Sequence, residues 1–285
     1  MFADDSTSDC ITDTYEEAFK RVQEILNQLH NWASKNGFSI HTTIGKTEVM
    51  FISRKKFIGP LPRFQLNEQD INVTESVKCL GITIDNKLSW SNHVSNIMKN
   101  YRSKVKKLHQ MRFLNAENLR EIYFKGILPT VLYAIPIWGS CSTSLINKVN
   151  EIHIKAARFI CKIKKSTPDS LVIEQAHWQQ ISWYYKKRVA CITHQLYHND
   201  PDSTLINIKR SERELRNNMK IEQPAFTTMK YRNSFSYRAA IIWNNLADEL
   251  KQKPYESFKS AIKENKCYLN QIQIDKIYNG KILRR

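Results

Sequence analysis

The sequence predicts an α+β protein, with a partial sheet and one helix near the N-terminus followed by a mostly α-helical remainder. Two patterns lead to this fold class: short alternating segments at residues 38–53 and 77–85, and apolar residues spaced by three and four elsewhere. With 41% hydrophobic and 11% aromatic residues, the 285-residue chain can bury a core. We expect three parts, at residues 1–90, 91–200 and 201–285.

The first predicted element is a helix at residues 15–35. Its apolar face contains Tyr15, Phe19, Val22, Ile25, Leu26, Leu29 and Trp32. Asp13 or Thr14 would cap its start, and Asn36-Gly37 would end it. Residues 38–53 then alternate, with a break at Ile44-Gly45, and predict a hairpin. Residues 77–85 predict a further strand.

From residue 94 the pattern becomes helical. Predicted helices cover residues 94–111, 117–135 with a kink at Pro129, 145–164, 179–197, 239–250 and 258–269. Turn-forming residues at 199–203 precede a polar stretch up to Arg232, which we interpret as a linker. Because the segment 145–164 spaces its apolar residues by alternating steps of four and three, we expect the helices to pack as a bundle.

The charge of the chain is asymmetric. The formal net charge is +17, and residues 1–40 contain three Lys/Arg against seven Asp/Glu, a net of −4, which leaves +21 for residues 41–285. Such a basic body favours a polyanionic partner, of which nucleic acid is the commonest, although ribosomal and membrane-surface proteins share the bias. Charge therefore indicates a class of partner and no reaction.

The predicted helix at residues 94–111 concentrates this charge. Six cations with no acidic residue between them lie on it or directly after it: Lys99, Arg102, Lys104, Lys106, Lys107 and Arg112. A solvated surface helix normally mixes both signs, so the repulsion favours a bound phosphate backbone over a plain basic face. A second one-signed cluster, which the helix dipole explains in part, contains Lys155, Arg158, Lys162, Lys164 and Lys165.

Residues 126–147 carry no charge, but their apolar part is broken by Pro129 and Pro136 and is too short for a membrane span. The six cysteines are scattered without a Cys-x-x-Cys pair, which predicts reduced, mostly buried thiols in a nuclear or cytoplasmic protein. Cys191, His194 and His198 share a helix face. No fourth ligand lies nearby in the sequence, so a packed Cys191 beside two partly exposed histidines is favoured over a zinc site.

Several motifs occur in a specific order and spacing. They are Phe2-Ala3-Asp4-Asp5, residues 46–51 and 77–85, Leu88-Ser89-Trp90, His93, Ile127-Leu128-Pro129, Leu132-Tyr133, Ile137-Trp138-Gly139, Ala156-Ala157-Arg158, residues 234–238 and Trp243-Asn244. The series resembles the C-terminal part of the reverse transcriptases of non-LTR retrotransposons, from the end of the palm through the thumb to the following helical region. The resemblance covers nearly the whole chain.

The resemblance implies RNA-directed DNA polymerase chemistry with Mg²⁺, and RNA and DNA as template and primer. Asp4 and Asp5 would bind the metal, for which carboxylate oxygens are suitable ligands. A solvated turn is the plain alternative for an Asp-Asp pair. Lys46 would act as an acid toward the departing pyrophosphate, with Thr43 at the position where the family usually has Asn.

The resemblance also assigns nucleic-acid contacts. Leu80-Gly81 would form the primer grip, where a glycine permits close approach to a sugar-phosphate. A plain β-turn or bulge is the alternative. The helix at 94–111 would belong to the thumb, so that residues 1–90 would be a partial palm, 91–200 a thumb-like region, and 201–285 a linker with C-terminal helices.

The fingers, the first half of the palm and a further metal-binding Asp of the family have no counterpart among these motifs, since Met1 directly precedes the Asp-Asp turn. We therefore expect an N-terminally truncated polymerase that is inactive alone. Two alternatives stay open. The chain would be a non-catalytic basic RNA- or DNA-binding module, or a contiguous reading frame would supply the upstream half of an active polymerase.

Overall fold

The computed structural model of the protein describes residues 6–53, 57, 59, 60, 62–200, 219–226 and 228–274. The chain forms two compact units, residues 1–93 and 94–285. Short strands follow a helix in the first unit, and helices make up the described part of the second. The predicted α+β class is therefore confirmed. Most of the predicted linker at 199–232 lies outside the described residues.

The first helix, α1 (Tyr15–Lys35), has the bounds that the sequence predicts. The side-chain oxygen of Thr14 accepts a hydrogen bond from the backbone N–H of Glu17 at 3.2 Å, so Thr14 rather than Asp13 is the N-cap. After the C-cap at Asn36, Gly37 continues the chain with a φ of 72°, which glycine adopts without strain. Local sequence therefore determines both ends of α1.

The sheet of the first unit contains β1 (Glu48–Val49), β2 (Phe64–Leu66) and β3 (Gln69–Val73). The order is β1-β3-β2, with β1 parallel and β2 antiparallel to β3. Asn67 and Glu68 connect β2 to β3 with φ values of 50° and 63°, the positive pair of a type I′ hairpin turn.

The hairpin predicted at residues 38–53 is wrong. β1 pairs with β3, and the N–H of Lys46 closes a turn by donating to the carbonyl of Thr43 at 3.0 Å. Phe38 and Ile44 are 62% and 83% exposed. Phe38 stacks on Trp32 of α1, with ring centroids 5.7 Å apart, so it packs on the helix and not on a partner strand.

Helix α1 packs against this sheet. The core between them contains Leu26, Phe64, Leu66 and Ile71. Gln23 of α1 makes a reciprocal pair with Gln65 of β2: its Nε2 donates to the Gln65 carbonyl at 2.8 Å, and its Oε1 accepts from the Gln65 N–H at 3.0 Å. Apolar burial and this pair together fix the helix on the strand.

A second hairpin ends the first unit. Strands β4 (Ser76–Cys79) and β5 (Ile82–Asp85) are antiparallel, with Cys79 opposite Ile82. The single strand predicted at residues 77–85 is therefore wrong, because the chain reverses between Cys79 and Ile82. No Asn-Gly or Asp-Gly pair marks the reversal in the sequence, and Gly81 is its one local signal.

Helix α2 (Ser91–Gln110) connects the two units along the chain. The following helices are α3 (Ala116–Ile122), α4 (Leu128–Val131), α5 (Ile135–Trp138), α6 (Thr143–Ile160), α7 (Asp169–Gln175), α8 (Ile181–Asn199), α9 (Met229–Arg232), α10 (Phe235–Asn244), α11 (Asp248–Lys251), α12 (Tyr255–Glu264) and α13 (Cys267–Asn270). None of the described helices is long and apolar enough to cross a membrane.

The helix predicted at 117–135 is interrupted. A π-helical segment, Tyr123–Ile127, separates α3 from α4, and the backbone N–H of Leu128 donates to the carbonyl of Tyr123. The irregularity lies directly before Pro129, which has no N–H to donate to the carbonyl four residues earlier. The chain leaves helical geometry after Val131, and Ala134 has a φ of 51°.

The other predicted helices exist with shifted ends. Helix α6 stops at Ile160 rather than at residue 164, because Lys162 adopts a left-handed φ of 53° that an α-helix cannot continue. The segments predicted at 239–250 and 258–269 become α10 to α13. Boundaries were therefore less predictable than the elements themselves.

Helix α8 is the central element of the second unit, with α5, α6, α10, α12 and α13 packed on it. A Cβ at Gly139, after α5, would lie 2.4 Å from Cδ2 of Tyr185, so the missing side chain permits the close approach of α5 and α8. Trp243 of α10 packs on Tyr197 of α8, with ring centroids 5.0 Å apart. The segments before and after residue 200 thus share one core.

A buried chain of hydrogen bonds joins α2, the π segment and α6. The Nε2 of His153 lies 2.9 Å from the Gln179 carbonyl, so it carries the proton and donates. Nδ1 must then accept from the hydroxyl of Tyr123, whose oxygen accepts in turn from the hydroxyl of Tyr101. Tyr101, Tyr123 and His153 are buried, and Trp178 stacks on Tyr123 at 4.8 Å. Every polar group in this chain of hydrogen bonds has a partner only while His153 is neutral.

This arrangement predicts acid sensitivity. Burial lowers the pKa of His153 to about 4, although the hydrogen bond to the Gln179 carbonyl acts in the opposite direction. The unfolded chain therefore binds a proton between about pH 6.5 and 4 that the folded chain does not, so stability is lost as the pH falls through this range. We expect His153 to contribute about 3 kcal/mol to the loss of unfolding free energy.

Urea unfolding at pH 7 and pH 4.5 would measure the difference for the wild type and for His153→Gln, whose amide does not titrate. The variant is expected to be less stable at pH 7 and to lose less stability on acidification. An equal loss in both proteins would contradict the assignment to His153.

Candidate nucleic-acid interface

The candidate metal ligands Asp4 and Asp5 lie outside the described residues, so their geometry is not defined. Within residues 6–53, 62–200 and the other described segments, no group of three or more His, Cys, Asp or Glu side chains is placed to hold a metal ion. A magnesium site at Asp4 and Asp5 therefore stays a prediction of the sequence.

Lys46 lies in an exposed turn of the first unit. The turn is held by neighbouring polar groups: the hydroxyl of Thr47 donates to the carbonyl of His41 at 2.7 Å, and the N–H of Gly45 donates to Oε1 of Glu48 at 3.2 Å. These bonds involve the backbone around Lys46 and leave its ammonium group at the surface. The position is accessible to a charged ligand, and a role of Lys46 in catalysis stays a prediction of the sequence.

Leu80 and Gly81 form the tip of the β4–β5 hairpin. Their φ values of 47° and 80° define a two-residue type I′ turn, a class that favours Asn-Gly because both residues are left-handed. For a leucine this conformation costs about 1–2 kcal/mol. The Leu80 side chain is nevertheless 39% exposed at the tip. The hairpin tip therefore carries a strained, partly exposed apolar residue.

Asp85 organises the link between this hairpin and α2. Its carboxylate accepts hydrogen bonds from the backbone N–H groups of Lys87, Ser89 and Trp90 and from the Ser89 hydroxyl, at 2.9 to 3.2 Å. Burial alone would raise the pKa of Asp85, but these four donors hold it below its usual range. The loop has positive φ at Leu88 and Trp90, which the Asp85 bonds help to maintain.

His93 belongs to the same junction. Its Nδ1 accepts from the backbone N–H of Thr83 in β5 at 3.2 Å, which ties the first turn of α2 to the hairpin. The motif residues 88–90 and His93 therefore have a structural role, and sequence analysis had assigned them none. Asp85 followed by Ser89 was an available signal, since such side chains commonly bond to nearby backbone groups.

Helix α2 presents the basic surface that the sequence predicts. Val94, Met98, Tyr101, Val105 and Leu108 are buried on one side. Four cations, Lys99, Arg102, Lys106 and Lys107, are exposed on the other side, and no acidic residue occurs between Asp85 and Glu117. The helix thus separates its apolar and basic residues completely.

Two of the six cations predicted for this helix differ from the rest. Lys104 is half-buried, and its Nζ donates to Oγ1 of Thr130 at 2.8 Å. Arg112 lies beyond the end of α2 at Gln110, in the turn that follows. The helical contact predicted from Lys99 to Arg112 therefore ends at Gln110, and Lys104 has a structural contact of its own.

The second predicted cluster is partly structural. The guanidinium of Arg158 donates to the carbonyls of Lys164 and Thr167 and forms an ion pair with Asp169. It thereby closes the loop between α6 and α7. Lys155, Lys162, Lys164 and Lys165 are exposed.

Cys191, His194 and His198 do not converge on a common ligand position. Nε2 of His194 donates to the Lys253 carbonyl, and Nε2 of His198 donates to the Lys251 carbonyl, both at 2.9 Å. These carbonyls lie at or just after the end of α11. Burial lowers the pKa of His194 and raises that of the Cys191 thiol. Contrary to the sequence expectation, His194 is buried rather than partly exposed.

The chain thus has an α+β architecture with an exposed, one-signed helix face suited to a phosphate backbone. It is distantly similar to RNA-directed DNA polymerases of non-LTR retrotransposons. It is 27% identical over 164 residues to the "RNA-directed DNA polymerase from mobile element jockey" of Drosophila melanogaster, and 27% identical over 168 residues to that of Drosophila funebris. It is 26% identical over 163 residues to the "Probable RNA-directed DNA polymerase from transposon X-element" of Drosophila melanogaster.

These matches cover 56% of this chain and 17 to 18% of each relative. The matched part of the chain thus spans less than a fifth of the length of these relatives. No protein-family model matches the sequence, and no solved structure matches it significantly.

Proposed function

We propose that the chain is the template–primer-holding part of a retrotransposon-type RNA-directed DNA polymerase, and that the exposed face of α2 contacts the phosphate backbone. The observation that carries the proposal is the separation of charge on α2. Within the part of the chain that the structure describes, no ion pair joins its exposed cations to an acidic side chain, while the opposite side is packed into the second unit. The similarity to jockey and X-element polymerases supports nucleic acid as the partner.

The dimensions of the face suit a duplex. Lys99, Arg102 and Lys106 are spaced by three and four and therefore share one side of the helix. Seven residues of helix span about 10 Å, and duplex DNA presents about six phosphates over that length of its axis. Three to four cations in this space can each reach a separate phosphate without bending the nucleic acid.

A plain solvated face is the alternative. It does not account for the absence of acidic partners at the neighbouring positions of α2, where i, i+4 pairs would stabilise the helix by about 0.2–0.5 kcal/mol each. The fold does form such pairs elsewhere, for example Arg21 with Glu17 at 2.8 Å on α1. Bound phosphates would relieve the repulsion that α2 leaves uncompensated.

The Leu80-Gly81 turn is proposed as a second contact, with the primer. We expect Leu80→Asn to keep the fold, because Asn adopts a left-handed φ readily. Without the apolar side chain it should bind a primer–template duplex about 2- to 10-fold more weakly, a difference of about 0.4–1.4 kcal/mol. Fluorescence anisotropy would measure the affinity.

Glu68→Asn is the matched control for this variant, because Glu68 has the same kind of φ, 63°, in the β2–β3 turn. It should not weaken binding. Equal affinities for the Leu80 variant and the wild type would reduce Leu80-Gly81 to a plain turn.

The catalytic half of the proposal concerns Asp4, Asp5 and Lys46. When bound, Mg²⁺ would neutralise the charge that develops on the transferred phosphates. Asp4 and Asp5 would hold it, and Lys46 would give a proton to the leaving group. The motifs in this sequence match two of the metal-binding carboxylates of the family and leave a third unmatched. We therefore expect the 285-residue chain alone to add no deoxynucleotides to a primer.

A primer-extension assay with Mg²⁺ would test this expectation. Incorporation above background that disappears in Asp4→Asn would refute it, and would assign Asp4 to the metal. Either result of the primer-extension assay leaves the α2 proposal unaffected, because the binding of nucleic acid by α2 does not require the metal.

Binding by α2 predicts a strong dependence on salt. The quadruple variant Lys99→Gln, Arg102→Gln, Lys106→Gln and Lys107→Gln should reduce the slope of log Kobs against log salt by about two to four, because each contact with duplex DNA releases roughly 0.9 counterion. Titrations between low and moderate salt would give the slope, and circular dichroism would check the fold.

The matched control removes the same charge from exposed lysines elsewhere, through Lys20→Gln, Lys35→Gln, Lys148→Gln and Lys230→Gln. If the salt slope of the α2 variant is no lower than that of this control, α2 is not the nucleic-acid interface.

A further inference from the structure

A further basic cluster, which the sequence did not predict, lies where α12 packs on α8. It consists of Lys187 and Arg188 from α8 and Lys259 and Lys263 from α12. Lys259 and Lys263 are separated by one helical turn, and Lys187 and Arg188 are adjacent. Helix α2 contributes no residue to this cluster, so it is separate from the surface described above.

Aromatic rings hold two of these cations in place. The Lys187 Nζ lies 5.3 Å from the centre of the Trp183 ring, and the Lys259 Nζ lies 5.8 Å from that of Tyr255. Both distances are within the range of a cation–π attraction. Among the described residues, one of these cations forms an ion pair: Lys259 with Glu256 at 3.3 Å, between two exposed side chains. The cluster thus keeps a net positive charge in a fixed arrangement.

The cations repel one another. Burial lowers the pKa of the Lys187 ammonium group, and the charges of Lys263, Arg188 and Lys259 lower it further. Lys187 and Arg188 lie in the second turn of α8, away from the helix C-terminus where the dipole would stabilise cations. The dipole therefore accounts for Lys263 at most, and the other members have no such structural explanation.

We propose that Lys187, Arg188, Lys259 and Lys263 form a second phosphate-binding surface, which contacts the backbone of the nucleic acid at a place other than α2. The inference rests on the proposed function only in taking nucleic acid as the ligand. An anionic membrane is the other polyanion to consider. Membrane-surface helices insert large apolar side chains, and none of the exposed large hydrophobic residues in the described part of the chain lies on α8 or α12.

The test compares salt slopes for a 30-base-pair duplex. The variant replaces all four cations, as Lys187→Gln, Arg188→Gln, Lys259→Gln and Lys263→Gln. We expect it to lower the slope of log Kobs against log salt by about two to three. Four full phosphate contacts would give a larger change, but Lys259 already has an anionic partner. The control is the Lys20, Lys35, Lys148 and Lys230 variant. If the quadruple variant does not fold, the double variant Arg188→Gln and Lys263→Gln takes its place, because both side chains are exposed. It should lower the slope by about one to two.

The outcomes separate this inference from the α2 proposal. A lower slope here with an unchanged slope in the α2 variant supports the second surface and refutes α2. A slope equal to that of the control refutes the second surface, whatever the α2 variant shows. Binding to phosphatidylserine vesicles is also measured for the quadruple variant. If the variant loses vesicle binding while its salt slope for the duplex is unchanged, the cluster binds a membrane and the inference is overturned.

Discussion

The hydrogen-bond chain from the Gln179 carbonyl through His153 and Tyr123 to Tyr101 is the constraint on which the second unit depends. It can run in one direction only, because the carbonyl fixes the proton on Nε2 of His153. Breaking any link would leave a buried polar group unsatisfied, at a cost of about 1–3 kcal/mol. Since these hydrogen bonds hold Tyr101 of α2 in the core of the second unit, they also orient the basic side of α2 toward solvent.

The basic residues fall into two groups: those whose charged group has a structural contact within the fold, and those whose charged group is available to a ligand. Arg158 closes a loop, Lys104 bonds to Thr130, and Lys251 is fully buried beside Asp248. Such residues contribute to net charge without being available to a ligand. The exposed cations of α2, and Arg188 and Lys263 at the contact of α8 with α12, are different, because no ion pair with an acidic side chain is present for them among the described residues. The net charge of a chain therefore overstates the surface that can bind phosphate.

The sequence predicts those features whose causes are local. Helix α1 follows from periodicity and capping residues, and its predicted bounds are confirmed. Helix α2 follows from periodicity, and it covers nearly all of the predicted residues 94–111. The predicted hairpin at 38–53 fails because the pairing of β1 is decided by β3, more than twenty residues further along. The π segment lies directly before Pro129, and apolar periodicity does not distinguish a π segment from an α-helix. The contact of Lys104 with Thr130 and the α8–α12 cluster were not predicted, because each brings together residues that are distant in sequence.

The reciprocal pair of Gln23 and Gln65 has a consequence for self-association. β2 is an edge strand of its sheet, and Gln65 stands opposite Asp70 of β3. The side-chain amide of Gln23 offers the donor and acceptor that a neighbouring strand would offer, and it occupies both backbone groups of Gln65. A foreign strand would have to displace it before adding to the sheet. One glutamine on a helix thus protects this edge from the intermolecular pairing that leads to aggregation.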